Sequence, residues 1–167
     1  MPSTVRLTQA TLDDVTTVAD LRAAAAARLT RDFGRGHWSS SGTEAGVVTD
    51  LRTPGLFVVR RGQRVVGTLR LATRKQWPID PSFFTAVRVP LYLTSMVVDP
   101  EVQRTGVGRA CMIAVMKIAR GWPADAVRLD AYDAVAGAGG FYEKCGFREM
   151  GRVTYRKVPL IYYDSLV

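Results

Sequence analysis

A mixed α/β fold, one mixed sheet with helices on both faces, is predicted by three observations. The chain has 167 residues, 47% hydrophobic and 23% charged, which is globular usage in a length that closes one sizeable core. The apolar spacing switches repeatedly between a period of two and a helical period, in the order β-α-α-β-β-β-α-β-α-β-β. No internal repeat, low-complexity stretch or second compositional region interrupts that order, so residues 1–167 are expected to form a single domain.

VRLTQA, Val5 to Ala10, alternates and predicts a short first strand. Thr11-Leu12-Asp13-Asp14 has the character of a helix start, with acidic residues in the first turn. Leu12, Val15, Val18 and Ala19 then recur at helical spacing, and the alanine run carries the helix to Leu29. DFGRGHWSSSG, Asp32 to Gly42, is rich in turn formers and predicts a loop, after which Thr43 to Leu51 returns to helix.

Pro54-Gly55 breaks the chain, and LFVVRRGQRVVGTLRLAT predicts two strands in a hairpin that turns near Arg61-Gly62-Gln63. The stretch RKQWPIDPSFFTAVRVP has three prolines and no clear period, and is longer than a usual connection. Leu91 to Val98 is a strand, and a helix after the following glycine turn runs to about Arg120. VRLDAYD is the next strand, GAGGFYEKC a short helix ended by Gly146, and MGRVTYRK and PLIYYDSL the last two strands.

The formal net charge is +8, supplied mostly by arginine. It favours anionic partners in general, but the basic residues are scattered singly and in pairs such as Arg60-Arg61 and Arg74-Lys75. A nucleic-acid-binding protein would need a clustered basic and aromatic face, which the sequence does not offer. Cys111 and Cys145 are too few for a disulfide framework and lack metal-ligand spacing, so no metal is expected. The N-terminal residues do not resemble a secretory leader and no segment is apolar over a membrane's thickness, which points to a cytoplasmic protein without a membrane partner.

The most informative stretch is VVDPEVQRTGVGRACMIAVMKIAR, Val97 to Arg120, a strand that turns into an amphipathic helix through two glycines. A helix leaves its first amide groups unpaired and carries partial positive charge there, so an anion is the natural occupant of the turn. Gly106 and Gly108 allow a phosphate oxygen close to the backbone, and Gln103, Arg104 and Arg109 add donors or charge. The dinucleotide fingerprint fails for want of a third glycine at its spacing, and a P-loop fails because Arg109-Ala110 follows Gly108.

Gln103-Arg104-Thr105-Gly106-Val107-Gly108 fits the pattern Q-x-x-G-x-G, and with the preceding VVDP it resembles the acetyl-CoA signature of the GNAT superfamily of N-acetyltransferases. GGFYEKCGF, Gly139 to Phe147, is similar to the same family's C-terminal segment, a short helix that carries a tyrosine and ends at Gly-Phe. The resemblance implies a mostly antiparallel sheet split between the fourth and fifth strands, with acetyl-CoA as acyl donor in the split. It further implies that the backbone of Met96, Val97 and Val98 binds the pantetheine arm. Arg104, Thr105, Gly106, Val107, Gly108 and Arg109 would hold the pyrophosphate through main-chain amides.

The same resemblance makes Tyr142 the general acid that protonates the departing thiolate, and the Val98 amide a donor to the thioester carbonyl. Asp130 stands where some relatives carry a glutamate, and is the candidate base, with Ser95, Tyr92 and Asp133 as substitutes. An ordinary hydrogen-bonded or ion-paired role for Asp130 remains the competing reading. Strand alternation puts Asp130, Tyr132 and Ala134 on one face and Asp133 on the other. One departure stands out: many relatives have asparagine where this chain has Val135, and GAGG replaces a more helix-favouring sequence.

His37 with Trp38, and the aromatic set Trp77, Phe83 and Phe84, are either acceptor-site residues or packing. Tyr155, Tyr162 and Tyr163 on the last strands offer a surface for a homodimer. The expected activity is acetyl transfer to a primary amine of a small molecule, peptide or protein. A catalytically silent acyl-CoA-binding module is the alternative, against which the retained Tyr142 argues.

Overall fold

The computed structural model describes residues 4–40, 42–74 and 80–167. Its strands are β1 (Arg6–Gln9), β2 (Leu56–Arg61), β3 (Arg64–Ala72), β4 (Pro90–Val98), β5 (Ala126–Tyr132), β6 (Arg148–Tyr155) and β7 (Val158–Leu166). The helices are α1 (Val15–Phe33), α2 (Glu44–Asp50), α3 (Val107–Gly121) and α4 (Gly139–Lys144). They follow one another as the apolar spacing predicts. The sheet order is β1-β2-β3-β4-β5-β7-β6, antiparallel at β1–β2, β2–β3, β5–β7 and β6–β7 and parallel at β4–β5. Two compact units make up the chain, residues 1–71 with 95–114 and residues 72–94 with 115–167.

In the first unit, the helix start at Thr11 is a reciprocal cap. The Thr11 hydroxyl accepts from the Asp13 amide at 3.3 Å, and the Asp14 carboxylate accepts from the Thr11 amide at 2.9 Å. Asp14 is buried there, which it tolerates because Arg60 on β2 pairs with it at 2.7 Å. α1 runs four residues past the predicted Leu29, since Arg28 and Asp32 pair across one helical turn and Gly34, at φ 79°, closes the end. Thr43 caps α2 by accepting the Gly46 amide. The core here is Val18, Ala19, Val47, Leu56 and Val58.

Arg70 on β3 is a buried cation without a carboxylate acceptor among the described residues. Its guanidinium donates to the carbonyls of Asp50, Thr53 and Pro54, tying the C-terminal end of α2 and the Pro-Gly break to the sheet. Gly55 follows at φ 111°, where a Cβ would overlap the Leu71 carbonyl. The β2–β3 hairpin turns at Gly62, φ 62°, as its sequence predicts.

In the second unit, β5 pairs with β7 along its whole length, from Ala126–Leu166 to Tyr132–Leu160. Its pairing with β4 covers Pro90–Ala126, Leu91–Val127 and Tyr92–Arg128, whereas β4 itself continues to Val98. A parallel β4–β5 pair in an otherwise antiparallel set of pairings is the mixed, mostly antiparallel sheet the resemblance implies. β6 begins at Arg148, two residues before the predicted Met150, because a register shift between Glu149 and Gly151 lets the strand keep pairing. α4 begins at Gly139 instead of Gly137, because a Cβ at residue 137 would overlap the Tyr132 carbonyl and the chain is still turning there.

Candidate functional site

The turn before α3 is built from its anchors outward. Asp99 closes β4, donating its amide to the Val66 carbonyl at 2.9 Å, and its carboxylate accepts the Glu101 amide at 3.0 Å. Arg64 pairs with both Asp99 and Glu101 at 2.7 Å. Val102 is buried and roots the next turn. From that root Arg104, at φ 63°, and Gly106, at φ 89°, are both left-handed. Such a conformation costs a non-glycine residue roughly 1 to 3 kcal/mol.

α3 then begins at Val107, which is buried, and Gly106 accepts the Ala110 amide at 3.0 Å. Val107, Cys111, Met112 and Val115 bury one helical face, while Gln103, Arg104, Thr105, Gly106 and Arg109 stay at the surface. The helix N-terminus is therefore fixed from behind and open in front. The Gln103 amide nitrogen donates to the Val98 carbonyl at 3.2 Å, so the turn and the end of β4 form one assembly. Burial pushes the Cys111 thiol up to about 11, making it the inert core thiol that its place in the helical pattern suggests.

Ser95, exposed and left-handed at φ 52°, bends β4 one residue before Met96. Past the bend, the Asp99 amide points to β3, and strand alternation turns Val97 the same way and Met96 and Val98 the other way. Gly67 on β3 accommodates this, since a Cβ there would come within 2.7 Å of the Val97 carbonyl.

In the second unit Tyr142 is buried in α4 within an aromatic cluster. Its ring centre lies 5.2 Å from Phe141, 6.0 Å from Phe147 and 6.3 Å from Tyr163. Gly146, at φ 92°, ends the helix. Phe147 then folds its amide back to the Tyr142 carbonyl at 3.1 Å. Burial, and after it the charges of Asp130 and Cys145, pushes the Tyr142 phenol well above its ordinary value. The hydroxyl stays protonated at any working pH, which is the state a proton donor needs.

Asp130 on β5 is half-buried and stands directly opposite Tyr162 on β7. The Tyr132 and Tyr162 phenols are also raised, first by burial and then by the charge of Asp130. One carboxylate thus acts on three phenols, of which the sequence motif marks Tyr142 alone for chemistry. The alternation of LDAYD was the available signal for Tyr132. Tyr162 needed the β5–β7 register. The strand ends at Tyr132, so alternation does not govern Ala134.

The substitute bases are engaged elsewhere in two cases. The Tyr92 hydroxyl accepts from Arg128 at 3.0 Å, and Asp133 pairs with Arg152 at 3.2 Å. His37 is exposed in a single turn of 3-10 helix, and Trp38 donates to the Gly34 carbonyl at 3.0 Å. Phe84 is buried and stacks on Tyr162 at 5.0 Å, and Phe83 meets the same ring edge-on at 5.6 Å, so both pack the loop onto the sheet. Trp77 lies outside the described residues. Val135 is 89% exposed. Among the described residues there is no group of His, Cys, Asp or Glu able to hold a metal, and no helix long and apolar enough to cross a membrane.

The model of the acetyltransferase (GNAT) family matches residues 23–147. No curated protein matches the chain in sequence. Among solved structures, a GNAT-family acetyltransferase from Listeria monocytogenes superposes with a TM-score of 0.74 at 15% identity, covering 98% of this chain and 95% of the other. An acetyltransferase from Thermus thermophilus gives 0.69 at 20% identity, covering 100% of both chains. YncA of Salmonella typhimurium, solved with its cofactor acetyl-CoA, gives 0.67 at 14% identity, covering 97% of this chain and 93% of the other. At these identities the likeness establishes the fold.

Proposed function

The chain belongs to the acetyltransferase (GNAT) family, and on that premise we propose that it transfers the acetyl group of acetyl-CoA to a primary amine by direct attack on the thioester. The observation that carries this reading is the turn from Gln103 to Arg109, where two left-handed residues precede the surface-exposed start of a helix fixed by Val102 and Val107. That cradle suits a pyrophosphate, with the unpaired amides and partial positive charge of a helix start beside the arginines 104 and 109. Acetyl-CoA, when bound, supplies an acetyl group already activated as a thioester.

The roles assigned to the chain's own residues follow. The main-chain groups of Met96 and Val98, turned away from β3, hydrogen-bond the pantetheine arm in the manner of an added strand, with Val97 holding that edge in place from the β3 side. The Val98 amide donates to the thioester carbonyl, where negative charge grows. Asp130 takes the proton that the amine must lose, directly or through water. Tyr142 gives its phenolic proton to the departing sulfur. Its raised affinity for the proton keeps it loaded until a thiolate forms beside it.

The test is thiol release from acetyl-CoA over a panel of small-molecule, peptide and protein amines, beside calorimetry with acetyl-CoA alone. Amine-dependent release is the expected result. Tight binding of acetyl-CoA with no release for any amine would establish a silent acyl-CoA-binding module instead.

A further inference from the structure

β5 and β7 carry a buried charge on each side of one register pair. Arg128 and Asp164 are directly opposite each other, 4% and 0% exposed. Removing both charges from water is costly, and an apolar pair of similar volume is often as stable, so stability is a weak reason for their presence. What they share is Thr85. The Thr85 amide donates to Asp164 Oδ2 at 2.8 Å, and its carbonyl accepts from Arg128 Nη2 at 2.9 Å. Arg128 Nε and Asp164 Oδ1 are buried without a hydrogen-bond partner among the described residues, while the other ends of both side chains hold the loop.

The grip extends toward the proposed base. Arg128 also donates to the Tyr92 hydroxyl and lies 4.9 Å above the Phe84 ring. From the outer side, Arg148 comes within 3.9 Å of Asp164 and donates to the Thr85 hydroxyl at 3.4 Å. Phe83 and Phe84, next in the chain, cover Tyr162, and Tyr162 is the register partner of Asp130. Arg128, Asp130, Tyr162 and Asp164 share one face of the sheet, because directly opposed and alternate residues do.

We propose that Arg128 and Asp164 are positioning residues for the acceptor side of the reaction. By holding Thr85 they fix Phe83 and Phe84 on Tyr162, and thereby the face on which Asp130 meets the amine. The inference rests on the role given to Asp130 above.

Asp164→Ala removes the acceptor for the Thr85 amide, whereas Asp164→Asn keeps an oxygen that still accepts it. Three quantities separate positioning from general loosening: hydrogen exchange at Thr85, the Kd for acetyl-CoA, and kcat and KM for the best amine of the panel. In Asp164→Ala, Thr85 should exchange at least about 10-fold faster and kcat/KM for the amine should fall about 10- to 100-fold, with the acetyl-CoA Kd within about two-fold. Asp164→Asn should recover most of that loss. Unchanged exchange, an unchanged kcat/KM for the amine, or an equal loss of acetyl-CoA affinity would each overturn the proposal. If Asp164→Ala does not fold, Arg128→Lys is read by the same criteria, since an ammonium cannot serve Tyr92 and Thr85 with a planar fork. A wild-type protein that acetylates no amine overturns the proposed function and this inference with it; an active wild type with indifferent variants overturns this inference alone.

Discussion

Gly139, the first residue of α4, lies against the phenol end of Tyr163 on β7, where a Cβ would overlap the hydroxyl oxygen. Tyr163 is 1% exposed and donates to Glu143 of the same helix at 3.4 Å. The approach of α4 to the sheet, and with it the placement of Tyr142, depends on that missing side chain. Gly139→Ala is expected to destabilise the fold by roughly 1 to 3 kcal/mol through overpacking. Gly140 has nothing within 4 Å of its Cβ position, so Gly140→Ala should be neutral or stabilise by up to about 1 kcal/mol. Thermal or denaturant unfolding of the two variants decides it; equal effects would mean that helix propensity alone acts at both positions.

Tyr142→Phe keeps the ring packing with Phe141, Phe147 and Tyr163 and removes only the hydroxyl. Acetyl-CoA affinity should hold while the single-turnover rate falls about 10²- to 10⁴-fold, the usual cost of a lost general acid. Single turnover is the quantity to measure because product release can hide a slower chemical step. A rate equal to wild type would make Tyr142 a packing residue.

Asp130→Asn removes a charge from a face shared with Tyr162 and leaves a side chain of the same size. Turnover should fall most near about pH 7, where an amine of the lysine type is almost wholly protonated, and the deficit should shrink toward about pH 10. A pH–rate profile parallel to that of wild type would leave Asp130 a structural part only.

Gly106→Asp puts a carboxylate into the cradle at φ 89°, and acetyl-CoA affinity should drop at least about 10-fold. Gly62→Asp is the control for backbone strain, since Gly62 is left-handed at φ 62° in a hairpin turn with nothing near its Cβ position. It should lose stability and keep its affinity for acetyl-CoA. Calorimetry on both variants separates charge in the cradle from strain in the chain.

Cys111 links stability to alkaline pH. An unfolded thiol ionises near about 8.5. The native thiol holds its proton to about 11 because it is buried. Above the unfolded value the native state binds more protons, so this group's contribution is complete below about pH 8.5 and is lost as pH rises through about 11, at up to about 1.4 kcal/mol per pH unit. Tyr142 acts in the same direction at higher pH. Unfolding of wild type and Cys111→Ala between about pH 8 and 11 should show the wild type losing more stability with pH; parallel curves would rule the linkage out.

The sequence by itself determined the element order, the Gly62 hairpin, the caps at Thr11, Thr43 and Gly146, and the glycine turn into α3, because each is written in neighbouring residues by period, cap or permitted φ. The two motifs that identified the family are local in the same sense. Tertiary structure alone decided how far β5 pairs with β4, which faces of Met96, Val97 and Val98 point away from β3, and that Tyr162 stands opposite Asp130. It alone also placed the charges of Arg70, Arg128 and Asp164 inside, where loop carbonyls and the Thr85 main chain need partners. Residues far apart in the chain set those needs, so no window of sequence contains them.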